Sequence, residues 1–232
     1  MSRPEFDNFA ATYEELLKDP IRDGFAGNPA FFHLRKRDLI RDYFKRNAVD
    51  TKRLSYLDVG CGKGELMSLL AADFGRVAGC DPSGGMLEGA HGANVKVQTE
   101  PERIPFEDAR FDFVTAVCVY HHVPVAARAA LTREVRRVLK PGGIFAIIEH
   151  NPYNPATRLI VKRTPVDIDA ILLYPAETQS LLRSAGLPVR ATSYFLYLPE
   201  GIYRFAGAVE GLLRHVPLGG QYAVFAGKEG CC

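Results

Sequence analysis

The stretch Tyr56-Leu57-Asp58-Val59-Gly60-Cys61-Gly62-Lys63-Gly64-Glu65-Leu66 decides the fold. An apolar run from Tyr56 to Val59 enters a turn with glycines at 60, 62 and 64, and a helix-compatible segment, Glu65 to Phe74, follows at once. Strand, tight glycine turn and helix N-terminus, in that order, make a nucleotide-binding βα unit. Glycine adopts backbone angles closed to other residues and carries no Cβ to keep a ligand off the main chain. The first turn of the helix adds unpaired N–H groups and a partial positive charge.

Working outward, Asp81 stands seventeen residues past Gly64, at the end of a second apolar run, Val77-Ala78-Gly79-Cys80. An acidic residue at the tip of the second strand, about 20 residues beyond the turn, is where a ribose diol is gripped. Pro82, Ser83, Gly84, Gly85 and Met86 then open another helix, with an apolar side chain where an adenine ring could rest. A dehydrogenase-type site is disfavoured, because Gly60-x-Gly62-x-Gly64 lacks the G-x-G-x-x-G spacing of a pyrophosphate turn.

Val59-Gly60-Cys61-Gly62-Lys63-Gly64 followed by Gly79-Cys80-Asp81-Pro82-Ser83 resembles the first motifs of class I S-adenosylmethionine-dependent methyltransferases. Glu100 to Phe106, Phe111-Asp112-Phe113-Val114, Tyr120-His121-His122-Val123 and Leu139-Lys140-Pro141-Gly142-Gly143 continue the resemblance in order across residues 54–150. The ubiquinone/menaquinone-type small-molecule enzymes are the most similar branch. The resemblance implies S-adenosylmethionine as cofactor and S-adenosylhomocysteine as product. It places Tyr13, Asp58, Gly60, Cys61, Gly62, Asp81, Pro82, Met86, Glu100, Pro101 and Cys118 around that cofactor. Within that set Asp58 orients the glycine loop, Gly60 and Gly62 admit the methionyl part, Asp81 takes the ribose hydroxyls and Met86 packs on adenine. Glu100 accepts from the adenine amine, in place of the commoner Asp, and Lys63 replaces a commoner small residue.

Alternating strand and helix segments over 54–150 call for a parallel sheet covered on both faces and joined by right-handed crossovers. Strands are expected near 54–59, 76–81, 94–98, 111–119 and 143–150, and helices near 65–74, 84–91 and 125–139. The predicted fold is α/β: a Rossmann-like, seven-stranded, mostly parallel sheet with an antiparallel last strand and helices on both faces. Residues 1–53 read as a helical lid, with a break at Pro20 and Gly24, and 54–150 as the cofactor core. Residues 151–232 complete the sheet and carry a substrate-side insertion, all within a single domain. The insertion at 151–174 has no clean period. A helix over 176–184, an aromatic strand over 193–198, a helix over 203–215 and a strand over 221–226 follow. The helix over 203–215 and the aromatic run 194–197 are expected to help shape a substrate pocket.

Composition limits the alternatives. A net charge of +2 gives little reason to expect nucleic-acid binding, and no run approaches the ~20 apolar residues of a membrane span. No leader-like apolar segment opens the chain, and the five cysteines do not form a secreted disulfide framework, so a reducing cytoplasmic setting is expected. Cys231-Cys232 lacks metal-site spacing. Eight Lys or Arg between Arg35 and Arg53, against three Asp, read as the solvated face of an amphipathic helix with Leu34, Ile40, Tyr43 and Phe44 turned inward.

Methyl transfer to oxygen needs a base, whereas an amine needs only to be bound unprotonated. The candidate catalytic residues are His121, His122, Glu149 and His150, at the carboxyl ends of the fourth and fifth strands. Asp167 and Asp169 have the spacing of paired ligands on one strand face, but without a third partner no metal is expected. The expected function is methylation of an O or N atom of a small metabolite. Transfer or cyclisation of the cofactor's aminocarboxypropyl arm, or a cofactor-binding subunit without catalysis, are the alternatives.

Overall fold

The computed structural model describes residues 5–90, 94–100 and 102–230. Among them a seven-stranded sheet runs in the order β3-β2-β1-β4-β5-β7-β6. Its strands are β1 (Ser55–Val59), β2 (Arg76–Asp81), β3 (Asn94–Val97), β4 (Phe111–Val117), β5 (Leu139–His150), β6 (Val189–Phe195) and β7 (Gln221–Gly227). Only β7 runs against its neighbours, pairing antiparallel with β5 and β6, as expected of the last strand. The helices are α1 (Tyr13–Leu16), α2 (Pro20–Phe25), α3 (Ala30–Arg46), α4 (Glu65–Leu70), α5 (Gly84–Leu87), α6 (Val125–Val138), α7 (Pro155–Arg163), α8 (Pro175–Ser184) and α9 (Glu200–Leu213).

The central strands are apolar on both faces because both are covered. Side chains alternate along each strand. In β5, Phe145 and Ile147 pack in the layer that contains Leu131 and Val135 of α6 and Leu182 of α8. Ala146 and Ile148 face the opposite layer, with Ile40, Tyr43 and Phe44 of α3 and Leu66 and Leu70 of α4. In that second layer the Tyr43 and Phe225 rings stack 4.0 Å apart, locking α3 onto β7. Such a pair adds about 0.5–1.5 kcal/mol beyond its buried area.

Several local expectations change. Pro20 and Gly24 fall inside a helix rather than in a break: Pro20 begins α2, where its missing N–H costs nothing, and the Asp19 side chain caps it by accepting from Ile21 N and Arg22 N. β5 starts at Leu139, and a register shift opposite Phe111 to Phe113 absorbs the Pro-Gly-Gly segment. The insertion is not irregular. Asn154 caps α7 through Thr157 N at 3.0 Å, with Pro155 at its first position, so the Asn-Pro-Tyr-Asn-Pro segment is a helix start. Asn151 pins that segment to the approach to β7, donating to Pro217 O and Gly219 O. No helix among the described residues is long and apolar enough to cross a membrane.

Candidate active site

Strand order reverses between β1 and β4, and a crevice at such a switch point, outside the carboxyl ends of the strands, is where open α/β sheets bind ligands. A cavity of about 770 Å³ lies there. At one end it is lined by Gly60, Gly62, Asp81 and Met86, and at the other by Cys118, His122, His150 and Asp167.

The glycine turn is built on the tip of β2. Gly60 N and Cys61 N both donate to Cys80 O, and Gly60, Gly62 and Gly64 all take positive φ, at 71°, 53° and 76°. A Cβ on Gly60 would press on Val119 Cγ2, and the positive φ would strain any side chain placed there. Asp81 is buried, and each of its oxygens accepts one backbone N–H: Oδ2 from Gly62 at 2.9 Å and Oδ1 from Ser83 at 2.8 Å. Burial pushes its carboxyl up, against those two hydrogen bonds. Below the turn, Asp58 Oδ1 accepts from Thr115 Oγ1 at 2.5 Å. Its pKa rises to about 7 because burial outweighs the Thr115 bond and the Lys36 charge.

The N-terminal segment packs against this end. Asp7 Oδ1 accepts from Ser83 Oγ at 2.5 Å and Gly85 N at 3.1 Å, tying Asp7 to α5. Tyr13 lines the cavity, and burial raises its hydroxyl well above the usual tyrosine range.

At the other end the chain leaves β4 through Cys118, whose φ of 56° turns it across the strand ends. Glu149 holds that loop from below. Its Oε1 accepts from Val119 N at 3.0 Å and Tyr120 N at 2.7 Å, while Oε2 meets His121 Nδ1 at 2.5 Å. Burial would raise the Glu149 carboxyl, but His121 brings it below the ordinary value. His121 is raised to about 10, because the Glu149 and Asp167 carboxylates outweigh its burial. Asp167 Oδ1 lies 3.5 Å from His121 Nε2 and 3.3 Å from His122 Nε2. His150 pairs with Gln221 across β5 and β7, which sets both beside Cys118. The Cys118 thiol is lowered to about 7: burial would raise it, and Lys36 and His150 prevail.

Of the expected cofactor-side residues, Tyr13, Asp58, Gly60, Cys61, Gly62, Asp81, Pro82, Met86 and Cys118 all line the one cavity. Glu100 is exposed and does not; Gln98 and Glu102 do. Pro101 and Cys231-Cys232 lie outside the described residues. Of the four candidate catalytic residues, His121, His122 and His150 line the cavity, and Glu149 sits beneath it with both oxygens engaged.

The basic run of α3 is not simply a solvated face. Lys36 is buried, lines the cavity and reaches Cys118 Sγ at 3.9 Å. Arg35 is buried against Glu210 at 3.2 Å, its guanidinium 3.8 Å above the Tyr203 ring. Leu34 is only partly buried. Both charged residues fall on the apolar stripe set by Phe31, Ile40 and Tyr43, and that register was the available signal. Helix α9, expected on the substrate side, uses Tyr203 and Glu210 to hold α3 and does not line the cavity. Within the run 194–197 only Leu196 lines it. Asp167 and Asp169 share no strand face: Asp167 ends a short 3-10 turn and points inward, and Asp169 is exposed.

A family described as a methyltransferase domain matches residues 57–147, which span the glycine turn, Asp81 and the Cys118 loop. Over these residues the chain is similar to methyltransferase domains. A demethylmenaquinone methyltransferase of Staphylococcus aureus is 38% identical to this chain over 107 residues, 42% of this chain and 44% of its own length. The chain spans about half the length, or less, of the curated relatives it matches at that level. A ubiquinone biosynthesis O-methyltransferase of Methylobacterium nodulans is 28% identical over 215 residues, 84% of this chain and 85% of its own. Among solved structures, a Haloferax volcanii protein in complex with the Trm112 methyltransferase activator has a similar fold. Its TM-score is 0.69 at 20% identity, covering 99% of this chain and all of that one.

Proposed function

We propose that this protein transfers the methyl group of S-adenosylmethionine to a hydroxyl oxygen of a small metabolite with a largely apolar body. One observation carries the reading: a single cavity joins the glycine turn and Asp81 to a histidine-lined end. Gly60 and Gly62 leave the backbone open where the methionyl part would lie. Asp81 would hold the ribose hydroxyls on the lone pairs its two backbone bonds leave free, and Met86 would pack on the adenine. When bound, the cofactor supplies a methyl group on a sulfonium, which needs alignment rather than activation.

The remaining work falls to this chain's own groups. His150 takes the proton of the acceptor hydroxyl on its imidazole, and the Lys36 ammonium stabilises the charge that develops on oxygen. Phe6 and Tyr13 keep water out from the lid, and Glu149 positions the loop from Cys118 to His122 without touching the acceptor. The acceptor's apolar body would rest on Phe25, Phe32, Ile160 and Leu196. The Methylobacterium relative, named for O-methylation in ubiquinone biosynthesis, suggests hydroxylated aromatic compounds as the first acceptors to try. The test is incubation of purified protein with S-adenosylmethionine and a panel of such compounds, with the spent cofactor identified by mass. Acceptor-dependent S-adenosylhomocysteine supports the reading. Methylthioadenosine would show that another bond of the cofactor breaks and would overturn it.

A further inference from the structure

We infer that His121, His122 and Asp167 form a binding site for a divalent transition-metal ion at the acceptor end of the cavity. Their ligand atoms lie within 4.8 Å of one another. The distances from Asp167 Oδ1 to His121 Nε2 and His122 Nε2 are 3.5 and 3.3 Å, long for hydrogen bonds. They match the edge of a tetrahedron around an ion: bonds of about 2.1 Å at a tetrahedral angle place neighbouring ligands about 3.4 Å apart. His121 Nε2 is buried and makes no hydrogen bond, so an ion that displaces its proton would be its partner.

The support beneath the cluster is of the kind a metal site uses. His121 engages Glu149 Oε2 through Nδ1, and a carboxylate that fixes the far ring nitrogen leaves Nε2 as the ligand atom. Glu149 is in turn held by two backbone N–H groups. A divalent ion would also balance the two carboxylates, Glu149 and Asp167, buried on either side of His121. Two imidazoles and one carboxylate suit zinc, iron(II), manganese or cobalt rather than calcium or magnesium. Three protein ligands leave coordination positions open to the cavity, where an oxygen of the acceptor would bind.

The inference stands on the cluster and not on methyl transfer, so it is tested without S-adenosylmethionine. Full-length protein, stripped with chelator and carrying Cys231→Ser and Cys232→Ser to remove competing thiols, is titrated with Co²⁺. Visible ligand-field absorption is read, and Zn²⁺ is then added as competitor. One saturable site, displaced by Zn²⁺, is expected, with Asp167→Ala and His122→Ala abolishing the signal. Glu149→Gln turns an amide N–H toward His121 Nδ1 and moves the proton to Nε2, so affinity should fall about 10–100-fold. Asp169→Asn, in an exposed residue outside the cluster, should bind as the parent does. Circular dichroism confirms that each variant is folded. A folded parent that takes up neither ion, or equal binding by the parent and Asp167→Ala, would overturn the assignment.

Discussion

His121 Nδ1 and Glu149 Oε2 lie 2.5 Å apart in the interior, and the other oxygen of Glu149 holds the backbone of Val119 and Tyr120. One carboxylate at the end of β5 therefore fixes both the path of the loop after β4 and the ring orientation of its first histidine. Glu149→Ala would leave two N–H groups and an imidazole buried without partners. Losing one member of a buried pair destabilises by about 3–5 kcal/mol. For a chain of this size the unfolding midpoint should drop by about 6–20 °C. Thermal unfolding measures it, and a shift of under a degree or two would show that Glu149 does not hold the loop.

Asp81→Ala removes the carboxylate at the tip of β2 and frees Gly62 N and Ser83 N. Hydrogen bonds to a charged group are worth about 1.5–3 kcal/mol each, so S-adenosylmethionine affinity should fall at least about 10-fold. Unchanged affinity in a calorimetric titration would remove Asp81 from the cofactor site.

His150→Ala should cut turnover by about 10²–10⁴-fold while leaving cofactor affinity within a factor of two or so. Turnover and binding measured side by side separate the roles. Full activity would mean that another group takes the proton.

Cys118 offers a pH-dependent readout at the cavity. With its thiol lowered to about 7, the thiolate fraction grows as pH rises through that value, and iodoacetamide labelling should rise with the same midpoint. Lys36→Met removes a charge that favours the thiolate and should move the midpoint upward. Cys61 and Cys80, both buried and both raised by burial, should label far more slowly. A labelling midpoint at the ordinary cysteine value, insensitive to Lys36→Met, would contradict this electrostatic picture.

The half of the molecule built from local pattern was legible in the sequence. Glycines 60, 62 and 64 take the positive φ that their turn requires, and the apolar runs of β1, β2, β4 and β5 are strands because both faces are covered. What could not be read depends on contacts between distant segments. Lys36 lies on a stripe that looks like a packed helix face, and only the fold brings Cys118 to it, eighty-two positions away. Asp167 finds His121 and His122 because Asn154 starts α7 and carries the chain back over the strand ends. No spacing along the chain encodes that meeting. Motif position points to Glu100, whereas Gln98 and Glu102 on either side of it line the cavity.

The most direct test is a calorimetric titration of the purified protein with S-adenosylmethionine. Saturable one-to-one binding in the micromolar range, about −8 kcal/mol, is the expected result. No heat of binding from folded protein would contradict the reading of the glycine turn, Asp81 and the cavity as a cofactor site, and the proposed methyl transfer with it.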